Sequence, residues 1–517
     1  MKIPKQTFMD KAISWVSPAT GLKRWQARTH LAMLGGYTGA RRDRSQTKNW
    51  NTAGGSADAV SLDDLPTLRD RSRDLLRNAP LATGAVNTVI TNVIGTGLRP
   101  QSHIDRKVLR PYLKTDEAME AWESEAERIF TLWANNRDCD ITRCQNFTDL
   151  QALILRSTLE SGDIFVLRKY KEHEGNPFGT ALQVVEADRV ANPDNTNDKI
   201  VAGVELDDDG APTAYHILNK HPDDAGGKLT STKVPAFDAD GRRQVLHIFQ
   251  RNRPGLTRGV PYLAPVIESL KQLDKYTEAE IMAAVISSMF TIFVKSESEE
   301  GLNPLATEGQ KPTRSSDYNI SPGAILDLQP NEDIQIANPN RPNQAFDGFV
   351  QSILRQIGVA LEIPFEILIK HFTASYSAAQ AALVEAWKTF LTRRKWVATQ
   401  FCQPVYEMVI TEAIAKGYLD APGFFSDPFV RAAYLGAEWI GPPRGQIDQL
   451  KEIRAADYRV KLGVSTLEEE TAAITGGNWE TKHTQRAREH KMRMDAGLTE
   501  SMPKPYGKKE KEGNDDK

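Results

Sequence analysis

Four titratable residues in the middle of the chain have the types that metal or acid–base chemistry requires. Glu186 and Asp188 lie at the end of one predicted strand, and His216 and His247 lie near the ends of two others. If the strands bring these side chains together, their carboxylate and imidazole groups could hold a divalent metal or supply a general base. A metal-dependent nuclease or other hydrolase is therefore one hypothesis. The competing interpretation is that the histidines only pack, the more common role of a histidine in a strand.

Other patterns that could indicate chemistry are incomplete. Cys139 and Cys144 are spaced as C-x4-C, but neither a second pair nor a nearby histidine completes a zinc set, so we predict reduced thiols of an intracellular protein. The chain contains no G-x-S-x-G, no G-x-x-x-x-G-K-[ST] and no H-E-x-x-H motif. The acidic run at 206–210 lacks the distal glutamate of a calcium loop and predicts a hairpin turn. We therefore expect no metal, no cofactor and no ATP-driven motor.

The elements that would position these residues form two blocks. Residues 117–135 and 146–161 carry apolar residues every three or four positions, which predicts amphipathic helices. From Gly162 the apolar period changes to two, and four strand-like runs follow, separated by Asn, Pro and Gly. Together these blocks predict a small α+β body that extends to about residue 260.

Long helices dominate the part of the chain that follows this body. One is predicted from Ala264 to Val294, and its second half is apolar on nearly every side. An acidic, irregular segment then leads to a helix that Pro364 ends, and a loop leads to a third long helix, bent at Pro404. Two helices that leave a body and return would form a stalk. A ring of copies would bury its apolar surface.

Composition and charge set the general class of the protein. The 517 residues are 40% hydrophobic with a net charge of −3, which excludes collagenous and wholly disordered chains and argues against a surface that binds nucleic acid all over. Residues 1–50 contain ten Lys or Arg and two acidic residues, which predicts a basic flexible arm with a short amphipathic helix at 8–16. A peripheral membrane protein that uses this arm is a second alternative. The apolar run 281–294 is too short to span a bilayer, which needs about 20 residues.

Short motifs occur in a fixed order along most of the chain. They are Y-x-G-A (37–40), R-S-R-D-L-x-R-N-x-P (71–80), V-x-G-T-G-L (93–98), F-T-D-L-Q (147–151), S-G-D (161–163), R-P-G-x-x-R-G-V-P (253–261), P-N-R-P-N (339–343), S-Y-S (375–377) and W-x-G-P (439–442). By their order and spacing, the chain resembles the lambda-type family of tailed-bacteriophage portal proteins from about Tyr37 to Trp479.

The resemblance implies a mainly helical α+β fold of the portal type, with a wing, stem, clip and crown, that assembles as a ring. Carried onto this sequence, it implies a basic flexible arm at 1–55, a wing at 56–260, stem helices at 261–295 and 346–363, a clip at 296–345, a tunnel loop at 364–377, a long wing helix and following segment at 378–439, a crown at 440–490 and a disordered charged tail at 491–517.

The function implied by the resemblance is that of a conduit rather than an enzyme. Family members form a ring, of twelve subunits in virions, at one capsid vertex, and double-stranded DNA is packaged and ejected through it. The implied partners are the terminase large subunit, head-completion or connector proteins, and capsid and scaffold proteins, with transient contact to double-stranded DNA, no membrane and no cofactor. The implied location is the portal vertex of the virion, and the host cytoplasm during assembly.

Three sets of candidate site residues follow. The apolar half of the first stem helix predicts a subunit interface at Ile281, Val285, Met289 and Phe293. The acidic clip predicts a docking surface for the motor and connector at Glu299, Glu300 and Glu308. The tunnel loop predicts groups facing the DNA channel at Lys370, His371, Thr373 and Ser375. The acidic clip would repel a polyanion, so that a duplex slides through the channel without being held.

Overall fold

A computed structural model of the chain describes residues 7–33, 49–50, 52, 54–193, 197–288, 292–296, 332–336, 345–372, 375–445 and 448–498. The chain forms two compact units, residues 1–60 and 61–517. None of the helices in the described residues has the length and apolar character that a membrane span requires. The secondary structure is mainly helical with several small antiparallel sheets, as predicted.

The first unit contains two consecutive helices where the sequence predicts mostly a flexible arm. These are α1 (Phe8–Val16) and α2 (Pro18–Met33), and most of α3 (Ala57–Ser61) also belongs to this unit. Thr7 and Asp10 form a capping box at the start of α1, and Arg24 Nε lies 3.3 Å from the buried carboxylate of Asp10. The short amphipathic helix is confirmed, but a flexible arm over 1–55 is wrong for residues 8–33, because these caps and the Asp10–Arg24 ion pair hold a helical hairpin.

The second unit begins with packed helices and one short strand. In chain order these are α4 (Leu65–Asn78), α5 (Pro80–Val93), β1 (Arg99–Ser102), α6 (Arg106–Leu113), α7 (Asp116–Asn135) and α8 (Phe147–Ser161). The two helices predicted at 117–135 and 146–161 correspond to α7 and α8. Asn146 caps α8 in a capping box with Asp149, and Gly162 ends it with a φ of 92°.

Two antiparallel sheets follow where the sequence predicts strands. Their strands are β2 (Asp163–Tyr170), β3 (Thr180–Val185), β4 (Ile200–Val201), β5 (Val204–Leu206), β6 (Pro212–Leu218), β7 (Ser231–Pro235) and β8 (Val245–Phe249). The strand orders are β3–β2–β8 and β4–β5–β6–β7. Asp207 accepts a 2.7 Å hydrogen bond from the Ala211 N–H between β5 and β6, which confirms the predicted hairpin turn.

The remaining elements are again mainly helical. They are α9 (Ile267–Ser288), β9 (Ile292–Ser296), β10 (Glu332–Ile336), α10 (Phe346–Ala360), α11 (Phe365–Leu368), α12 (Tyr376–Val397), α13 (Gln403–Ala415), α14 (Pro428–Tyr434), β11 (Ala437–Ile440), α15 (Gln449–Lys461), α16 (Leu467–Thr475) and α17 (Trp479–Asp495). A 3₁₀ turn at Ala264–Val266 precedes α9.

The first long helix is shorter than predicted. It ends at Ser288, and β9 follows it, with Phe293 opposite Gln335 of β10. A stem helix over 261–295 that includes Phe293 is therefore wrong, because β-branched and aromatic residues favour an extended strand where a partner strand is available. The predicted clip, 296–345, was expected to be irregular, but it includes the strand β10.

Two other predicted boundaries also change. The loop expected over 364–377 contains the short helix α11, and α12 begins at Tyr376 with Ser375 as its N-cap. The disordered tail expected over 491–517 is wrong for residues 491–495, because α17 continues to Asp495. A bend is expected at Pro404. The structure has a π-helical turn over Ala398–Cys402, just before this proline, and the Gln403 N–H donates to the Ala398 carbonyl there. This wider turn accommodates a proline, which cannot donate to the preceding turn.

The main core is built around aromatic side chains from both ends of the second unit. Phe130 contacts Trp133, Phe147, Tyr406 and Trp439, with ring centroids 5.4 to 5.8 Å apart. Trp439 belongs to β11, which pairs with β1 so that Pro100 lies opposite it. Residues far apart in the sequence therefore close one core.

A buried ionic cluster joins these helices to the sheets. The fully buried carboxylate of Asp163, the first residue of β2, accepts from Arg69 Nη2 at 2.7 Å and Arg258 Nε at 2.5 Å. His247 Nε2 lies 3.2 Å from the same carboxylate. Arg258 also donates to three backbone carbonyl oxygens, those of Ala187, Val190 and Ala202. Every charge in this cluster has a partner, which a buried ion pair needs in order to be tolerated.

The pKa values of the cluster follow from burial and charge. Burial alone would raise the pKa of Asp163, but the Arg258 and Arg69 guanidinium groups outweigh it and hold that pKa well below its usual range. Burial lowers the pKa of His247, against the opposing effect of Asp163. His247 is therefore neutral at pH 7. It is packed between the rings of Phe165 and Phe249.

Asp163→Asn is predicted to lower the free energy of unfolding by about 3–5 kcal/mol at pH 7, because the buried guanidinium group of Arg258 loses its carboxylate partner and that of Arg69 keeps only Asp188, 3.6 Å away. Since the folded pKa is depressed, the stabilisation is fully present above the ordinary carboxyl pKa of about 4 and is lost as the pH falls through the folded value. Urea unfolding followed by circular dichroism measures both effects. Glu385→Gln, which removes one carboxylate from an exposed ion pair with Lys388, should change the stability by less than about 1 kcal/mol. Equal losses in the two variants would contradict the prediction.

Candidate functional site

The helices α9 and α10 form an antiparallel pair that leaves the body and returns to it. Near the body, the Tyr262 hydroxyl donates to the Leu361 carbonyl, just beyond the end of α10. Farther along α9, the ring of Tyr276 stacks on Phe346, with centroids 5.4 Å apart, and meets the edge of Phe349 at 5.2 Å. The antiparallel strands β9 and β10 follow α9 and precede α10.

This pair exposes apolar side chains to solvent. The exposed fractions are 58% for Ile281, 54% for Met282, 42% for Val285 and 81% for Val359. Of the four residues predicted to form a subunit interface, Ile281 and Val285 therefore lie exposed on α9, Phe293 lies on β9, and Met289 is outside the described residues. Ile281, Met282 and Val285 lie within about one turn of α9, whereas Val359 lies nearer the body. Neighbouring exposed apolar residues on one helix are typical of a surface that another protein covers.

The segment between α10 and α12 is anchored at its base. Ile367 and Leu368 of α11 are buried, and Arg355 lies over the ring of Phe365 at 5.0 Å. Lys370 follows with a φ of 55°, and the His371 N–H donates to the Glu366 carbonyl at 3.0 Å, which closes the short helix. The base of this segment is thus fixed to the body, whereas Lys370, His371 and Phe372 are exposed.

The predicted loop residues have different roles in this geometry. Lys370 and His371 are exposed, and Lys370 borders a cavity of about 290 Å³ together with Asn92, Trp387 and Arg444. The hydroxyl of Ser375 accepts from the Ala378 N–H at 3.4 Å, so it serves as a helix cap. Thr373, like the clip residues Glu299, Glu300 and Glu308, lies outside the described residues.

The four residues of the hydrolase hypothesis do not form one site. Glu186 and Asp188 are neighbours, but His216 and His247 belong to two different sheets. His216 Nε2 lies 3.4 Å from Glu205, and His247 contacts Asp163. Each histidine therefore interacts with a different carboxylate, as the packing interpretation predicts.

The histidine near Glu186 and Asp188 is His221, which the sequence analysis did not select. Its Nε2 lies 3.9 Å from Asp188, and one possible ligand atom from each of the three residues lies within 4.8 Å of the others. Arg73 already donates to Asp188 and lies 3.3 Å from Glu186, and Arg69 lies 3.6 Å from Asp188. Two guanidinium groups at these carboxylates oppose the binding of a cation. No sequence signal identified His221, because it lies in a turn three residues after β6.

Comparison with known proteins gives one clear assignment. The family model described as phage portal protein, lambda family, matches residues 43–394, which include the ionic cluster and the helix pair. The chain belongs to this family. The portal protein is 27% identical over 497 residues to portal protein B of Escherichia phage lambda, covering 91% of this chain and 92% of that protein. It is also 27% identical over 498 residues to the portal protein of Escherichia phage N15, covering 91% and 93%.

The portal protein is also similar to a chain in the solved virion of a native gene transfer agent particle. That similarity has a TM-score of 0.43 and 14% identity, and covers 82% of this chain and 96% of the other. The family match includes Glu186, Asp188, His216 and His247. The two histidines contact other carboxylates and do not join Glu186 and Asp188, so the nuclease alternative has no support.

Ser375→Ala is predicted to destabilise the first turn of α12 by about 1 kcal/mol, because the Ala378 N–H loses its acceptor. Hydrogen exchange of the Ala378 and Ala379 amides should accelerate about fivefold if the local opening equilibrium shifts by that energy. Ser377→Ala, two residues into the helix, removes the same hydroxyl from a position without a capping role and should leave the exchange unchanged. Faster exchange in the Ser377 variant alone would place the cap at Ser377 instead.

Proposed function

We propose that this portal protein assembles into a ring of twelve subunits at one capsid vertex and forms the channel through which double-stranded DNA is packaged and ejected. The observation that carries the proposal is the exposed apolar surface of the α9–α10 pair in a chain of the portal family. A cyclic ring would let each copy cover this surface with its neighbour, which one chain cannot do. Its location is then the virion, after assembly in the host cytoplasm.

In this proposal, α9 and α10 are the stem helices, and residues 296–345, which lead from the end of β9 to α10 and include β10, are the clip. Helices α4 to α8 and the two sheets, with α12 and α13, are the wing, and α15 to α17 form most of the crown. The loop after α11 reaches toward the channel. The continuous path from Arg258 through Tyr262 to the paired helices supports this division, because it connects the stem rigidly to the body.

The clip is the proposed docking surface for other packaging proteins. Residues 296–345 contain eight acidic and three basic residues, and Glu299, Glu300 and Glu308 lie in their first part. An acidic surface suits electrostatic docking of the terminase large subunit, followed by head-completion or connector proteins. Capsid and scaffold proteins would contact the ring at its periphery. The same negative charge would keep a passing duplex from binding tightly.

The portal protein is proposed to act without catalytic residues. Glu186 and Asp188 are engaged by Arg69 and Arg73, and His247 is buried against Asp163, so these groups have structural partners. Incubation of the full chain with duplex DNA and Mg²⁺ or Mn²⁺ should leave the DNA intact, whereas cleavage that Asp188→Asn abolishes would overturn this part of the proposal. Negative-stain images of the same sample should show rings with a central hole.

The ring proposal predicts that Ile281→Asp combined with Val285→Asp gives monomers or aggregates. A carboxylate buried without a partner costs several kcal/mol, and every subunit contact repeats that cost. Light scattering measures the mass of the assembly. The matched control is Gln272→Asp combined with Ala279→Asp, which adds the same charge to exposed positions on the more polar half of α9. A full ring in the Ile281/Val285 variant would remove these residues from the interface.

The channel proposal predicts that Lys370→Ala alters how much DNA is packaged or retained while rings assemble normally. A single exposed lysine per subunit adds little equilibrium affinity, so binding of duplex to purified rings should change less than about threefold. Lys388→Ala, on the exposed side of α12, is the control and should leave packaging unchanged. A ring structure with Lys370 on the outer surface would contradict the assignment.

A further inference from the structure

The cavity that Lys370 borders contains positive charge without a counter-charge. It has a volume of about 290 Å³, and its two charged lining residues are Lys370, after α11, and Arg444, after β11. No aspartate or glutamate is among the described residues that line it. Lys370 is exposed and Arg444 is half-buried. Neither side chain has an ion pair or a hydrogen bond with another residue that the structure describes, so both cations are available to a ligand.

A third cation lies close to the same cavity. The buried guanidinium group of Arg394 donates to the carbonyl oxygen of Asn92, a lining residue, at 3.0 Å and to that of Pro442 at 2.8 Å. Burial lowers the pKa of Arg394 to about 10, and no carboxylate in the described part of the chain opposes this effect. Arg394 is therefore charged at pH 7 without an acidic partner. An anion in the cavity would bring a counter-charge close to this buried cation.

Neutral donors on α5 add to the polar lining. The side-chain oxygen of Asn87 accepts from Arg156, which leaves the N–H groups of that amide as donors. Asn87 and Thr91 both line the cavity and are exposed. Apolar side chains from α11 and α12, among them Ile367 and Phe390, line another part of it. The cavity thus combines two charged donors and several neutral donors with an apolar wall.

We propose that this cavity binds inorganic phosphate or a phosphate monoester, with Lys370 and Arg444 as its charged partners. Phosphate has several acceptor oxygens and up to two negative charges near pH 7, and its hydrogen bonds with arginine and lysine are charge-assisted and strong. A carboxylate has one charge and two oxygens, so it would satisfy fewer of these donors. All the partners belong to one chain, so the site goes beyond the proposed ring and does not depend on it.

The backbone phosphate of duplex DNA fits this cavity less well. Each such phosphate is attached to a sugar on both sides and carries a single charge, whereas a volume of about 290 Å³ is at the lower end of the range for small-molecule sites. A duplex could therefore touch Lys370 at the rim but could not place a phosphate group deep between Lys370 and Arg444.

The first test is a titration of the full chain with sodium phosphate, followed by calorimetry at an ionic strength held constant with chloride. Lys370→Gln and Arg444→Gln should each weaken phosphate binding at least about fivefold, because each removes a charge-assisted hydrogen bond. Lys388→Gln removes an exposed lysine of α12 that is paired with Glu385. This control should change the affinity less than about twofold. Circular dichroism checks that the variants are folded.

Hydrogen exchange of the unmodified chain gives a second measurement. Phosphate bound between Lys370 and Arg444 would connect the segment after α11 to the segment after β11, so local opening of both should become rarer. The amides of Phe372 and Gly445 should exchange at least about threefold more slowly in saturating phosphate. Sodium acetate at the same concentration should leave both rates unchanged.

Three results would overturn the inference. One is an equal loss of phosphate affinity in the Lys388 control. Another is acetate that binds as tightly as phosphate, which would assign the cavity to a carboxylate, such as an acidic side chain of a neighbouring copy. The third is displacement of bound phosphate by an equimolar 30-base-pair duplex, which would assign Lys370 and Arg444 to the DNA backbone. Light scattering on the same samples tests the ring separately, since phosphate binding by a chain that forms no ring would contradict the ring proposal alone.

Discussion

The second unit depends on the ion pairs that the buried carboxylate of Asp163 forms with two arginines. This carboxylate brings Arg69 of α4 and Arg258, nine residues before α9, onto the first residue of β2. The backbone also approaches closely there: a Cβ on Gly162 would lie 2.3 Å from the Gly259 carbonyl oxygen, so neither motif can accept a larger residue at its glycine. The S-G-D and R-G-V-P motifs therefore form one contact, in which both the side chains and the backbones of the two segments meet. Tyr262 follows this contact and leads into α9, so the ion pair between Arg258 and Asp163 sets the direction in which the helix pair leaves the body.

Much of the fold follows from local patterns, and the departures have physical causes. The helices α7 and α8 were predicted from their apolar spacing. β7 was missed because its residues are mostly exposed and show no apolar alternation. Phe293 was assigned to a helix because an apolar run has no period that separates a helix from a strand, and the partner strand that decides the matter comes about 40 residues later.

The candidate site was predictable to a different degree. The exposed apolar surface at Ile281 and Val285 could be predicted from the sequence, because the second half of the first long helix is apolar on nearly every side. The role of Ser375 could not, because Ser375 and Ser377 are both acceptable caps and only the start of α12 distinguishes them. The grouping of Glu186 and Asp188 with Arg73, and of His247 with Asp163, needed the packing of α4 against the sheets. Glu186 and Asp188 are of the types that bind metal ions, but here they are partners of the guanidinium groups of Arg69 and Arg73.

The pairing of β1 with β11 has a consequence for how the chain is made. A ribosome releases Arg99–Ser102 long before Ala437–Ile440, and until then β1 has an open edge and Phe130 lacks its contacts with Tyr406 and Trp439. Folding of the core must therefore wait for nearly the whole polypeptide, and contacts this distant in sequence form slowly. A nascent or truncated chain has no finished body to offer a neighbouring copy. The pairing of β1 with β11 thus delays oligomerisation until translation has passed residue 440.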